Sequence, residues 1–275
     1  MTLTITMILA LLALGTFGGF MAGLLGVGGG MVLVPFLTML FAWQKMPADL
    51  VVHAAIATSM GMIVFTSLSS MRAHHKKGAV MWSVVYSLVP GIILGGLLAG
   101  GVAFRFINTA WLALFFAVFV GYSAMNMLRN KKPKPSRQLP GIAGRTAVGA
   151  GIGFISGLVG AGGGFLSVPF MVWCNVSIRN AVATSAALGF PIAVGNSIGY
   201  ISSGIETVGI QDGMLGYVYW PGLLVLITMS VLLAPVGAKC AHSWPVDRLK
   251  RIFACLLFSI SAYMLYKSLT AFGVI

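Results

Sequence analysis

Groups that do covalent chemistry are scarce in this sequence. Among 275 residues only four are Asp or Glu and four are His. Asp49, Glu206, Asp212 and Asp247 all fall at the ends of apolar segments or in loops. No carboxylate stands in mid-segment to relay protons, and the carboxylate and histidine clusters of a hydrolase or metalloenzyme are missing. The sequence therefore names no catalytic residue, no metal ligand and no cofactor. Its binding chemistry rests on backbone. Gly28, Gly29 and Gly30, and again Gly162, Gly163 and Gly164, allow conformations closed to other residues and leave their N–H groups uncovered.

Each cluster sits inside a longer pattern that is used twice. Gly23-Leu-Leu-Gly-Val-Gly-Gly-Gly-Met-Val-Leu-Val-Pro35 aligns with Gly157-Leu-Val-Gly-Ala-Gly-Gly-Gly-Phe-Leu-Ser-Val-Pro169 at an offset of 134 residues. Both copies close one apolar helix with glycines and open a short apolar segment carrying a proline. In hydrocarbon the exposed donors must bond other protein groups or line a polar cavity. A helix starting there aims its positive dipole end at the same place, and successive N–H groups can form an anion-binding nest. The alternative is that the glycines only permit a tight hairpin. A nucleotide loop is excluded, because no Lys-Ser or Lys-Thr follows and the glycine spacing misses the dinucleotide pattern.

A second set of candidates carries side chains. Thr58 and Ser59 close the run from His53, and Thr184 and Ser185 close the matching run from Arg179. Such hydroxyls either face a substrate or bond the carbonyl one turn back. Asn196, a few residues beyond Pro191, is an amide in mid-segment that needs a partner or a cavity. Its structural alternative is to hold two helices together. Arg179 reads as a helix-end anchor, and His74 and His75, among lysines, read as solvated.

These residues are positioned by a long series of apolar segments. Hydrophobic residues make up 59% of the chain, charged residues 8%, and mean hydropathy is +0.99. The class is an all-α polytopic membrane protein. A barrel is excluded because the apolar runs do not alternate. The net charge of +13 reflects basic residues in short loops, so no nucleic-acid partner is implied. Cys174, Cys240 and Cys255 imply no disulfide framework. The first residues lack a basic leader region and align with an internal segment after Arg145, which reads as a retained helix.

Five segments are expected in each half. In the first they run at about residues 3–25, 31–43, 51–71, 80–104 and 109–128. The second half places them at about 144–160, 165–174, 178–203, 214–239 and 246–272. The second and seventh are too short to cross, and Pro35 and Pro169 place their helix starts near the prolines. Gly15, Gly19 and Gly23, repeated at Gly149, Gly153 and Gly157, form smooth stripes for close helix packing. This divides the chain into a first membrane repeat (1–128), a basic linker (129–142) and a second repeat (143–275).

Charge sets orientation. The linker is richest in Lys and Arg and belongs in the cytoplasm. Counting outward, the loop from Arg72 to Lys77 is inside, Arg105 and the Glu206–Asp212 loop are outside, and both termini are outside. Equivalent loops of the two halves thus lie on opposite sides, which makes the repeats inverted and the glycine hairpins partners at the midplane.

With its doubled glycine motif and its two Ala-Thr-Ser segments, the sequence resembles the TauE/SafE family of sulfite and organosulfonate exporters. The resemblance implies multi-pass transport in the inner membrane of a small anion such as sulfite, sulfoacetate or a related sulfonate. The expected substrate contacts are Gly28, Gly29, Gly30, Gly162, Gly163, Gly164, Thr58, Ser59, Thr184, Ser185 and Asn196. The expected partners are that anion and the lipid bilayer; a homo-oligomer is not indicated. A structural or accessory membrane subunit is the alternative reading, and cation transport is disfavoured by the missing carboxylates.

Overall fold

Apolar chain in a bilayer can satisfy its backbone only by folding into helices or a closed barrel, and this sequence follows the first route. The structure is a computed structural model that describes residues 3–25, 29–129, 138–211, 213–240 and 246–274. Its helices in the first half are α1 (Ile5–Leu25), α2 (Gly30–Trp43), α3 (Val51–His75), α4 (Trp82–Leu97), α5 (Phe104–Phe106) and α6 (Thr109–Arg129). The second half has α7 (Ile142–Val159), α8 (Gly164–Trp173), α9 (Ile178–Thr207), α10 (Trp220–Cys240) and α11 (Val246–Ala271). Among the described residues eight helical spans are long and apolar enough to cross a membrane, while α2 and α8 are too short. The protein is an all-α, polytopic membrane protein.

The core is built on α3 and α9. In their most apolar stretches 83% and 67% of residues are buried, against 28–44% in the other long spans. These two helices pack on each other at the centre, and α6 packs on α11. Between the halves the contacts are exchanged. Helix α1 packs chiefly on α10, and its counterpart α7 packs on α4. Likewise α3 packs on α10 where α9 packs on α4.

Glycine stripes make these approaches possible. A Cβ on Gly15 would sit 2.6 Å from the Leu226 carbonyl oxygen, and one on Gly19 would sit 2.3 Å from that of Ser230. In the second half Gly149 faces the Leu88 carbonyl at 2.4 Å and Gly153 faces that of Ile92 at 2.2 Å. The same stripe positions thus meet the same rungs of the partner helix, which the packing expectation requires.

Four local expectations are corrected. Helices α2 and α8 begin at Gly30 and Gly164, well before Pro35 and Pro169, which lie inside them. Each proline removes only the one N–H that would bond Met31 or Phe165, a loss these short helices tolerate. The fourth segment is not one regular helix: after Leu97 it widens into a π turn over Leu98–Ala103 and closes with α5. There a Cβ on Gly100 would sit 2.6 Å from the Asn196 carbonyl, and one on Gly199 would sit 2.6 Å from the Gly101 nitrogen. The ninth segment starts at Trp220 rather than near Met214, because Ile210–Gln211, Met214–Leu215 and Val218–Tyr219 pair as a small antiparallel meander. His74 is buried, 3% exposed, because it lies on the inward face of the last turn of α3.

Candidate functional site

The two glycine motifs fold alike. Gly29 and Gly163 precede α2 and α8 with φ of 70° and 78°, in the left-handed region that a side chain disfavours by about 1–2 kcal/mol. Being glycine, neither N-cap has a side chain to bond the first-turn N–H groups, and each carbonyl accepts the N–H three residues on, from Val32 and Leu166. A Cβ on Gly29 would also stand 2.1 Å from the Gly18 carbonyl. Gly28 lies outside the described residues.

The motifs come into contact. A Cβ on Gly30 would sit 2.5 Å from the Gly160 carbonyl oxygen. Around Gly160, one would meet Val34 of α2 at 2.8 Å and the Ser59 hydroxyl of α3 at 3.0 Å. The Gly162 carbonyl lies 3.6 Å from the corresponding point on Gly189 of α9. The elbow of the second hairpin is therefore wedged among α2, α3 and α9, with Gly30, Ser59 and Gly160 at one spot.

Thr58 and Thr184 play identical parts. The Tyr219 N–H donates to Thr58 Oγ1 at 3.0 Å, and the Met81 N–H donates to Thr184 Oγ1 at 3.0 Å. Tyr219 and Met81 are the residues just before α10 and α4. Each threonine thus supplies an acceptor at a helix start, where backbone donors have no partner within the helix. The serines differ. Ser59 donates to the Ile56 carbonyl at 2.8 Å. Ser185 lies 2.9 Å from the hydroxyl of Ser167, which bonds the Gly163 carbonyl at 3.0 Å.

Asn196 is fully buried and donates through Nδ2 to the carbonyls of Gly153 and Ile192, at 3.2 and 2.9 Å. Its first bond holds α9 to α7. Its Oδ1 has no partner among the described residues and stands 2.0 Å from where a Cβ on Gly157 would be. This breaks the otherwise regular stripe, since the equivalent Gly23 meets the Ala234 carbonyl instead. The Tyr200 hydroxyl completes the cluster by donating to the Gly157 carbonyl.

Several residues of this region were not singled out from sequence. Ser156 is buried with a hydroxyl that has no partner among the described residues, and its Oγ lies 3.5 Å from the Cβ position of Gly163. Ser167 tethers α8 to α9, and Tyr219 buries its hydroxyl beside Phe41. Lone serines in apolar helices carry little signal, but aligning the two repeats opposes Ser156 to Ala22 and Ser167 to Leu33. That polar-for-apolar exchange was readable. Among the described residues no three His, Cys, Asp or Glu side chains gather as a metal site would need. Charge lies at the ends, where Arg105 pairs with Glu206 across α5 and α9.

Sequence comparison places the fold among transporters. A family model described as sulfite exporter TauE/SafE matches residues 11–264. A probable membrane transporter protein of Haemophilus influenzae is 33% identical, over 95% of this chain and 99% of its own length. The probable membrane transporter protein YdhB of Bacillus subtilis is 28% identical, over 84% of this chain and 89% of its own. One from Methanocaldococcus jannaschii is 26% identical, over 93% and 94%. No solved structure matches the chain. A glycine-hairpin, all-helical chain matched along nearly its whole length belongs to the sulfite exporter TauE/SafE family of membrane transporters.

Proposed function

We propose that the protein exports a small sulfur-containing oxyanion, such as sulfite, sulfoacetate or a related sulfonate, through a midplane site between its glycine hairpins. One observation carries this reading: two short helices, α2 and α8, each start with a left-handed glycine and no side-chain cap, and their motifs touch at Gly30 and Gly160. Helix starts of this kind offer N–H donors and a positive dipole end to an anion. Their presence at corresponding positions of two halves is the usual mark of a transporter site.

The exchanged packing of α1 with α10 and α7 with α4 supports two equivalent halves, residues 1–128 and 143–275. The charge pattern makes them inverted, with the linker and the Arg72–Lys77 loop in the cytoplasm and both termini outside the inner membrane. An inside-negative potential drives an anion outward by about 2.3 kcal/mol per charge per 100 mV. In the conformation described, the contact between Gly30 and Gly160 closes the junction, so passage requires the hairpins to separate.

The test is flux of radiolabelled sulfite from liposomes holding the purified protein, with the membrane potential clamped. Sulfite efflux that rises with inside-negative potential is the expected result. No flux of sulfite, sulfonates or carboxylates at any potential would leave the accessory-subunit reading instead.

A further inference from the structure

The two hairpins match in backbone and differ in chemistry. The tip of Ile192 of α9 stands nearest to Gly163. Beyond that contact, Gly29 lies against Gly18 and Ala22 of α1, and Gly163 lies against Ile152 and Ser156 of α7. These are the same two positions of the repeat, 134 residues apart. In the first hairpin the wall is a methyl group at Ala22, and Leu33 is fully buried with its side chain over Gly18. In the second, hydroxyls stand at both places.

Ser156 is 1% exposed, and its hydroxyl has no partner among the described residues. A buried hydroxyl normally finds a bond, and one left open beside a helix start points to a ligand. It lies beside Gly163, the N-cap of the ten-residue α8, which has no side chain to cap the helix. The Gly163 carbonyl takes the Leu166 and Ser167 N–H groups, and those of Gly164 and Phe165 come first in the helix. Ser167 and Ser185 fix the start of α8 through the Gly163 carbonyl, which keeps those N–H groups in place. Asn196 adds no donor, since Nδ2 is spent on Gly153 and Ile192. An anion needs donors. Serine supplies one where alanine cannot.

We propose that the anion is held by the second hairpin alone, on the Ser156 hydroxyl and the N–H groups of Gly164 and Phe165 at the start of α8. The first hairpin, with Ala22 and Leu33 at the equivalent places, offers no such hydroxyl. This rests on the anion-export reading above and makes its two-fold site one-sided. The two hairpins approach each other where Gly30 meets Gly160.

Ser156→Ala and Ala22→Ser, made separately, test the assignment in proteoliposomes and by sulfite-dependent thermal stabilisation in detergent. Loss of one hydrogen bond to a charged ligand raises the KM of Ser156→Ala for sulfite at least about tenfold and removes its thermal shift. Ala22→Ser keeps KM within about twofold, because its hairpin does not hold the ligand. Equal KM and thermal shift in Ser156→Ala and wild type overturn the proposal, as does a gain in Ala22→Ser as large as the loss in Ser156→Ala. If Ser156→Ala is not monodisperse, Ser156→Cys, similar in size and a weak donor, must raise KM; an unchanged KM also overturns it. Wild-type protein with neither flux nor thermal shift sinks the export reading itself.

Discussion

Replacing Thr58 by valine keeps the shape of a buried side chain and removes the oxygen that accepts the Tyr219 N–H. The N–H stays buried just before α10, where the first donors of a helix have no partner within it. Leaving such a donor unpaired costs about 1–3 kcal/mol. For a chain of this size that lowers Tm by roughly 2–12 °C, at about 2–4 °C per kcal/mol. Thr184→Val does the same to the Met81 N–H before α4, and Thr58→Ser, which keeps the acceptor, costs only about a buried methyl group, about 0.8 kcal/mol. The two threonines serve different helix starts, so the double variant should lose the sum of the single losses. Thermal unfolding in detergent, followed by tryptophan fluorescence, reads each step, and sulfite-dependent stabilisation is measured alongside. A Thr58→Val protein that melts like wild type but no longer gains stability from sulfite would refute the reasoning. Its hydroxyl would then belong to the substrate.

Two further outcomes follow from the geometry. Gly29→Ala should lose more stability and more efflux than Gly163→Ala. Both suffer the left-handed backbone, at about 1–2 kcal/mol, but the new methyl at Gly29 strikes the Gly18 carbonyl, whereas at Gly163 it meets the movable tip of Ile192. Equal losses would show that the first hairpin yields as easily as the second. For orientation, Glu206→Cys and Lys76→Cys are placed singly in a protein whose three native cysteines are replaced. An impermeant maleimide should label Glu206→Cys on intact cells and Lys76→Cys only after permeabilisation, and the reverse pattern would invert the topology.

Periodic and repeated features carried most of the fold. The Gly15, Gly19 and Gly23 stripe requires only small side chains at one spacing, and it packs on α10 as that spacing demands. Helix starts were harder, because a proline disfavours helix before it without forbidding it, and α2 begins at Gly30. The burial of His74 depends on which way the end of α3 faces, and neighbouring lysines say nothing about that. For the site, residue types at Thr58, Thr184 and Asn196 announced a need for partners. The partners themselves, Tyr219, Met81 and Gly153, come from distant segments that only the assembled bundle brings close. Ser156 passed unnoticed because its meaning lies in the contrast with Ala22, not in its own surroundings along the chain.

The exchanged packing also governs how the molecule is made. Helix α1 emerges well before α10, the helix whose surface it needs. Its glycine stripe must wait in lipid, shielded by nothing of its own half, until most of the polypeptide has been inserted. Neither half can mature as an autonomous unit, so synthesis ends in one late docking step instead of two early ones. A ribosome that stalls after the linker leaves a fragment whose glycine stripe has no mate, an open face for the cell's quality control to recognise.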